Sequence, residues 1–110
     1  MHQRAFAWGE CKDLLRKSHL ADSLRSQGLN VCDRNFCIAV RDCESFTIEF
    51  DGRDESRASI EGTAALLSTL TKDVQLVSAA LRAAGVTFWI EITDAAQNPL
   101  EYFHNQCPEQ

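Results

Sequence analysis

Two segments of the chain carry a clear hydrophobic rhythm, and their periods differ. Over residues 86–93, Val86, Phe88, Ile90 and Ile92 alternate with Thr87, Trp89, Glu91 and Thr93. That is the period of two of a half-buried strand, in which successive side chains point to opposite faces. Over residues 63–84, Leu67, Leu70, Val74, Val77, Leu81 and Ala84 recur at steps of three and four, which lines them along one side of a helix. Gly85 follows as a natural C-terminal stop. Thr69 and Thr71 interrupt the good helix formers, so the pattern allows one long helix or two shorter ones.

The remaining segments are weaker. Residues 10–27 lack Pro and β-branched side chains and run into Gly28, which predicts a helix. Leu14, Leu20, Ala21 and Leu24 share a face, but Cys11 and Leu15 fall away from it, implying a broad contact or a break near Ser18. Residues 35–40 form a nearly continuous apolar run, and in 46–51 Phe46, Ile48 and Phe50 alternate with Thr47, Glu49 and Asp51. The polar stretch 41–45 between them has hairpin length, so the two strands are expected to pair antiparallel. A turn at Asp51-Gly52 lets residues 57–61 return as a weak third strand. Residues 94–99 read as a turn, 100–104 as a returning strand, and 107–110 as a frayed tail.

The predicted order is α-β-β-(β)-α-β-β. It implies a single α+β domain over residues 1–110, with an antiparallel sheet of four to five strands covered on one face by helices. The other face is then left to solvent or to a partner.

Composition supports one folded unit: 110 residues, 45% hydrophobic and 25% charged, close a core without staples. The formal charge of −5 repels phosphate backbones and anionic membrane surfaces, so neither nucleic acid nor membrane is expected as a ligand. From Ala83 to Gln110 there is no Lys or Arg, whereas Glu91, Asp94, Glu101 and Glu109 all lie there. The N-terminal apolar run is too short for a signal-peptide core or a membrane span, and the five cysteines, at 11, 32, 37, 43 and 107, form no regular framework. Reduced thiols in the cytoplasm are the expectation.

No cofactor is expected. The five glycines stand apart, so there is no P-loop or dinucleotide-binding cluster, and no nucleophile elbow or His-Glu-x-x-His helix occurs. His104 and Cys107 are the best candidates for a thiolate-imidazole pair, yet Cys107 lies in the tail, where preorganisation is lacking. Cys32, Cys37, Cys43, His104 and Cys107 are soft ligands of the kind zinc takes, but their spacing lacks paired Cys-x-x-Cys knuckles, and buried structural thiols are the ordinary alternative. Glu49 and Glu91 would make an acid-base pair only if their strands were neighbours, against the commoner solvated polar face.

Trp89 is the residue that breaks the pattern, because alternation turns it away from the core together with Thr87 and Glu91. An indole on an open sheet face is the side chain most enriched at interface hot spots. The competing arrangement has the N-terminal segment, with Phe6 and Trp8, folded over that face as a second cover. If residues 46–51 neighbour this strand, Thr47, Glu49 and Asp51 join Thr87, Trp89 and Glu91 on one acidic surface suited to a basic protein partner. A non-catalytic binding protein follows as the expected function: an immunity protein or antitoxin-like inhibitor, with a small acidic secretion or folding chaperone as its variant. A Cys/His-dependent enzyme or metal-binding regulator is the alternative of another class, and exposed strand edges also allow a homodimer.

Overall fold

A computed structural model describes residues 4–51 and 53–104. The elements run β1 (Ala5–Lys12), α1 (Lys17–Ser26), β2 (Val31–Asp33), β3 (Cys37–Val40), β4 (Phe46–Asp51), β5 (Asp54–Ala64), α2 (Leu67–Ala83), β6 (Thr87–Thr93) and β7 (Pro99–His104). The α+β class agrees with the sequence. The strands form one antiparallel sheet in the order β2-β3-β4-β5-β1-β6-β7, so its described part has seven strands rather than four or five.

The largest departure is near the N-terminus, where a strand occupies Ala5–Lys12, residues that the hydropathy pattern assigns in part to the helix over 10–27 and otherwise to no element. β1 pairs with β5 on one side and β6 on the other, placing residues 5–12 in the interior of the sheet. Its inward positions are the small residues Ala5, Ala7, Gly9 and Cys11, while its outward positions carry Phe6 and Trp8. The usual contrast of bulky inside and polar outside is reversed, which hides the alternation from a hydropathy pattern. Small inward residues suit the strand over which α2 lies. Gly9 marks the tightest approach: a Cβ there would stand 1.9 Å from the Trp89 carbonyl oxygen.

The predicted helix over 10–27 is accordingly shorter. Cys11 belongs to the buried face of β1, Leu15 is exposed in the connection, and α1 buries Leu20, Ala21 and Leu24. The long helix is a single helix: Leu70, Val74, Val77 and Leu81 are fully buried in one stripe, and that burial outweighs the modest propensity cost of Thr69 and Thr71. Both helices close with the same bond pattern. Leu29 N–H donates to the Leu24 carbonyl and Val86 N–H to the Leu81 carbonyl, with Gly28 and Gly85 at positive φ supplying the turn.

β3 and β4 form the expected hairpin, and β5 continues it over eleven residues instead of the short 57–61 segment. The Gly52 half of the predicted Asp51-Gly52 turn lies outside the described residues, as does the 107–110 tail. Both helices pack on the same side of the sheet, α1 against β2 and β3, and α2 against β5, β1 and β6. The core between these layers includes Phe46, Ile48, Ile60, Phe88, Ile90 and Ile92. Among the described residues, no helix is long and apolar enough to cross a membrane.

Candidate functional site

Among the described residues no element covers the second face of the sheet, and alternation decides what stands on it. β1 presents Phe6, Trp8, Glu10 and Lys12 there; β6 presents Thr87, Trp89 and Glu91; β7 presents Tyr102 and His104. Register brings these residues into cross-strand rows. One row reads Tyr102, Glu91, Trp8, Glu61, Thr47, and the next reads His104, Trp89, Glu10, Ser59, Glu49.

The aromatic side chains of the two rows touch. Trp8 and Trp89 meet edge to face with ring centroids 4.9 Å apart and planes at 83°, a geometry favoured by the ring quadrupoles. Trp89 stacks on Tyr102 at 6.2 Å, and Tyr102 lies 5.2 Å from the His104 ring. Trp89 is half-buried by these neighbours, whereas Phe6, Trp8 and Tyr102 remain 41%, 48% and 55% exposed. Exposed large rings grouped in one patch are unfavourable in water and mark an interaction surface.

Carboxylates surround the rings. Glu10 accepts a hydrogen bond from the Trp89 indole nitrogen at 3.4 Å and an ion pair from Arg57 at 3.2 Å. Glu61 and Glu91 flank Trp8 in the row, and neither forms an ion pair or side-chain hydrogen bond among the described residues. Two open grooves run beside the Phe6–Trp8 ridge. The first, of about 560 Å³, is lined by Phe6, Trp8, Glu91, Thr93, Ala95 and Gln97. The second, of about 420 Å³, has Phe6 and Trp8 on one side and Thr47, Glu61 and Thr63 on the other.

No family model, curated protein or solved structure matches this chain.

All six residues expected to form a partner surface lie on the uncovered face, but in two groups. Thr87, Trp89 and Glu91 sit on β6, while Thr47, Glu49 and Asp51 sit on β4, because β5 and β1 intervene. The condition that these two strands be neighbours is therefore not met. At ~4.8 Å per strand, Glu49 and Glu91 are at least about 14 Å apart, beyond the ~5–9.5 Å over which glycosidase carboxylates cooperate. Glu10 links the groups, since it touches Trp89 and also lines a groove of about 270 Å³ with Glu49, Asp51, Arg57 and Ser59. The N-terminal segment does not fold over the face as a lid; it supplies Phe6 and Trp8 from within the sheet.

The thiol and imidazole candidates do not converge. Cys32 and Cys37 lie on β2 and β3 at one edge of the sheet, His104 on β7 at the other, and Cys43 in the β3–β4 connection beside Asp73. Cys107 lies outside the described residues, so the His104–Cys107 pair does too. Among the described residues, no three His, Cys, Asp or Glu side chains are grouped to hold a metal ion. The thiols also differ chemically. Burial, reinforced by Glu10, pushes Cys11 up to about 12. Burial, reinforced by Asp73 and Asp42, does the same to Cys43. Hydrogen bonds from Arg34 and Arg41 lower Cys32.

Sequence reasoning missed Phe6, Trp8, Glu10, Glu61 and Tyr102 as site residues. For the first three a signal existed: Ala5, Ala7, Gly9 and Cys11 alternate with larger side chains, a period of two written in small residues. Glu61 and Tyr102 become members only through register with Trp8 and Trp89.

Proposed function

We propose that this chain is a non-catalytic binding protein whose uncovered sheet face docks on a basic protein surface, in the manner of an immunity protein that neutralises a cationic toxin. The observation that carries the proposal is the Trp8–Trp89–Tyr102 array, held open to solvent and bordered by Glu10, Glu61 and Glu91. Aromatic side chains that become desolvated in a complex supply most of an interface's affinity, and surrounding charge of one sign supplies encounter rate and partner choice. The net charge of −5 adds a long-range attraction toward cationic partners.

The test is capture of partners from native lysate on immobilised protein, followed by elution in rising NaCl. The expected partner is basic and is released as ionic strength shortens the screening length from ~10 Å at 0.1 M to ~3 Å at 1 M. Trp8→Ala and Glu91→Lys each abolish its retention, with circular dichroism showing the fold intact. If the partner is a toxin, adding this protein suppresses the toxin's activity in proportion to binding. Retention that ignores salt and survives both substitutions removes the proposal.

A further inference from the structure

The two grooves beside the Phe6–Trp8 ridge are arranged alike on either side of β1. Glu91 and Glu61 occupy equivalent positions on the strands either side of β1, each directly opposite Trp8 in register. Each groove therefore has one carboxylate without a partner among the described residues, and Trp8 forms a wall of both. Of the cations on or beside this face, Arg57 pairs with Glu10 at 3.2 Å and Arg4 with Glu44 at 3.6 Å, while Lys12 stands at the far end of β1, in the row of Thr87. Among the described residues, no basic side chain lines either groove.

A carboxylate beside an accessible indole is a receptor for a cationic side chain, since the carboxylate supplies a charge-assisted hydrogen bond and the ring a cation–π contact. A guanidinium suits both, because its planar fork meets the carboxylate while its face stacks on the ring. We propose that the ridge is straddled by two arginine side chains of the partner, one in the Glu91 groove and one in the Glu61 groove, with an apolar partner residue seated on Trp8. This rests on the partner-binding reading of the face and names the recognition element within it.

Geometry fixes the spacing. Glu61 and Glu91 are two strand intervals apart, about 10 Å. Positions i and i+7 of a helix share a face and are separated by ~10.5 Å, with i+4 between them over the ridge. Positions i and i+4, at ~6 Å, are too close to reach both carboxylates without bending away from Trp8.

The probe is an alanine-rich helical peptide with arginines at i and i+7 and leucine at i+4. It is titrated into the full chain while the indole N–H resonances of Trp8 and Trp89 are followed. A second peptide replaces both arginines with citrulline, which keeps the shape and removes the charge, and a third moves the second arginine to i+3. The first peptide is expected to shift the Trp8 resonance and to bind about ten-fold tighter than either control, a difference of ~1.4 kcal/mol. Glu61→Gln and Glu91→Gln each weaken it about three-fold, and the double variant binds the arginine and citrulline peptides alike. Equal binding of the citrulline peptide, persistent discrimination in the double variant, or absence of any indole shift overturns the inference. In the capture experiment, loss of the partner on Trp8→Ala but full retention by the Glu61→Gln, Glu91→Gln double variant removes the paired-arginine site and leaves the docking face standing.

Discussion

At the scale of single residues, the four described cysteines show how position sets chemistry. Cys11 is sealed under the helices, and its neutral thiol is favoured by burial and by the neighbouring Glu10 charge. Cys32 is partly exposed at the sheet edge, where Arg34 and Arg41 favour its thiolate. Iodoacetamide at neutral pH is therefore expected to modify Cys32 first among the described thiols and Cys11 last, as read by mass spectrometry over time. The same shifts make stability depend on alkaline pH. A folded-state thiol pKa of about 12, against 9.0 for the free group, means that between these values the folded chain holds protons the unfolded chain has lost. The contribution of these thiols to stability is then constant below about pH 9 and is lost as pH rises toward 12, with Cys11→Ala reducing the slope in pH-dependent urea denaturation.

At the scale of elements, close approach matters more than propensity. β1 is accommodated beside β6 because Gly9 leaves room for the Trp89 carbonyl, and a methyl group there meets backbone that cannot rotate away. Gly9→Ala is expected to cost more than ~3 kcal/mol in denaturant unfolding, well above an ordinary overpacking penalty. Indole fluorescence should change as well, since displacing β1 from β6 separates Trp8 from Trp89. Within α2, Ser78 is fully buried with no hydrogen-bond partner for its hydroxyl among the described residues. Ser78→Ala removes that desolvation cost and improves helix propensity, so thermal unfolding should show a gain of about 1 kcal/mol.

At the scale of the whole molecule, the uncovered face carries an electrostatic cost. Glu61 lies in the row beside Trp8 and Thr47, diagonal to Glu10 and Glu49 on the adjoining strands. Like charges crowded on one sheet face destabilise it, so Glu61→Lys is expected to raise stability by about 0.3 kcal/mol at low salt while weakening binding of the basic partner. Such opposed effects, measured by denaturation and by capture on one variant, are the mark of a residue retained for recognition. A fall in stability with no change in binding would assign Glu61 a structural role instead.

What could be read from the chain was the set of elements whose stripes are bulky. β6 and α2 announce themselves because Phe88, Ile90 and Ile92, or Leu70, Val74, Val77 and Leu81, contrast sharply with their neighbours. Trp89 was legible as an outward residue from alternation alone. β1 was not legible as a strand, because Ala5, Ala7 and Gly9 bury little area individually and its bulkiest side chains point away from the core. β2, at three residues, is too short to show a period.

The sequence by itself thus determined which faces are apolar, where the helices stop, and that an indole stands outside the core, since these follow from local periodicity and from glycine at the caps. Only the tertiary structure decided which strands are neighbours. Strand order is a non-local property: inserting β1 between β5 and β6 separates Glu49 from Glu91, and it brings Trp8, from the start of the chain, against Trp89 and between Glu61 and Glu91. Hydropathy records the face on which each residue lies, but pairing is chosen by shape, by the room that Gly9 and the small residues of β1 leave for a close neighbour.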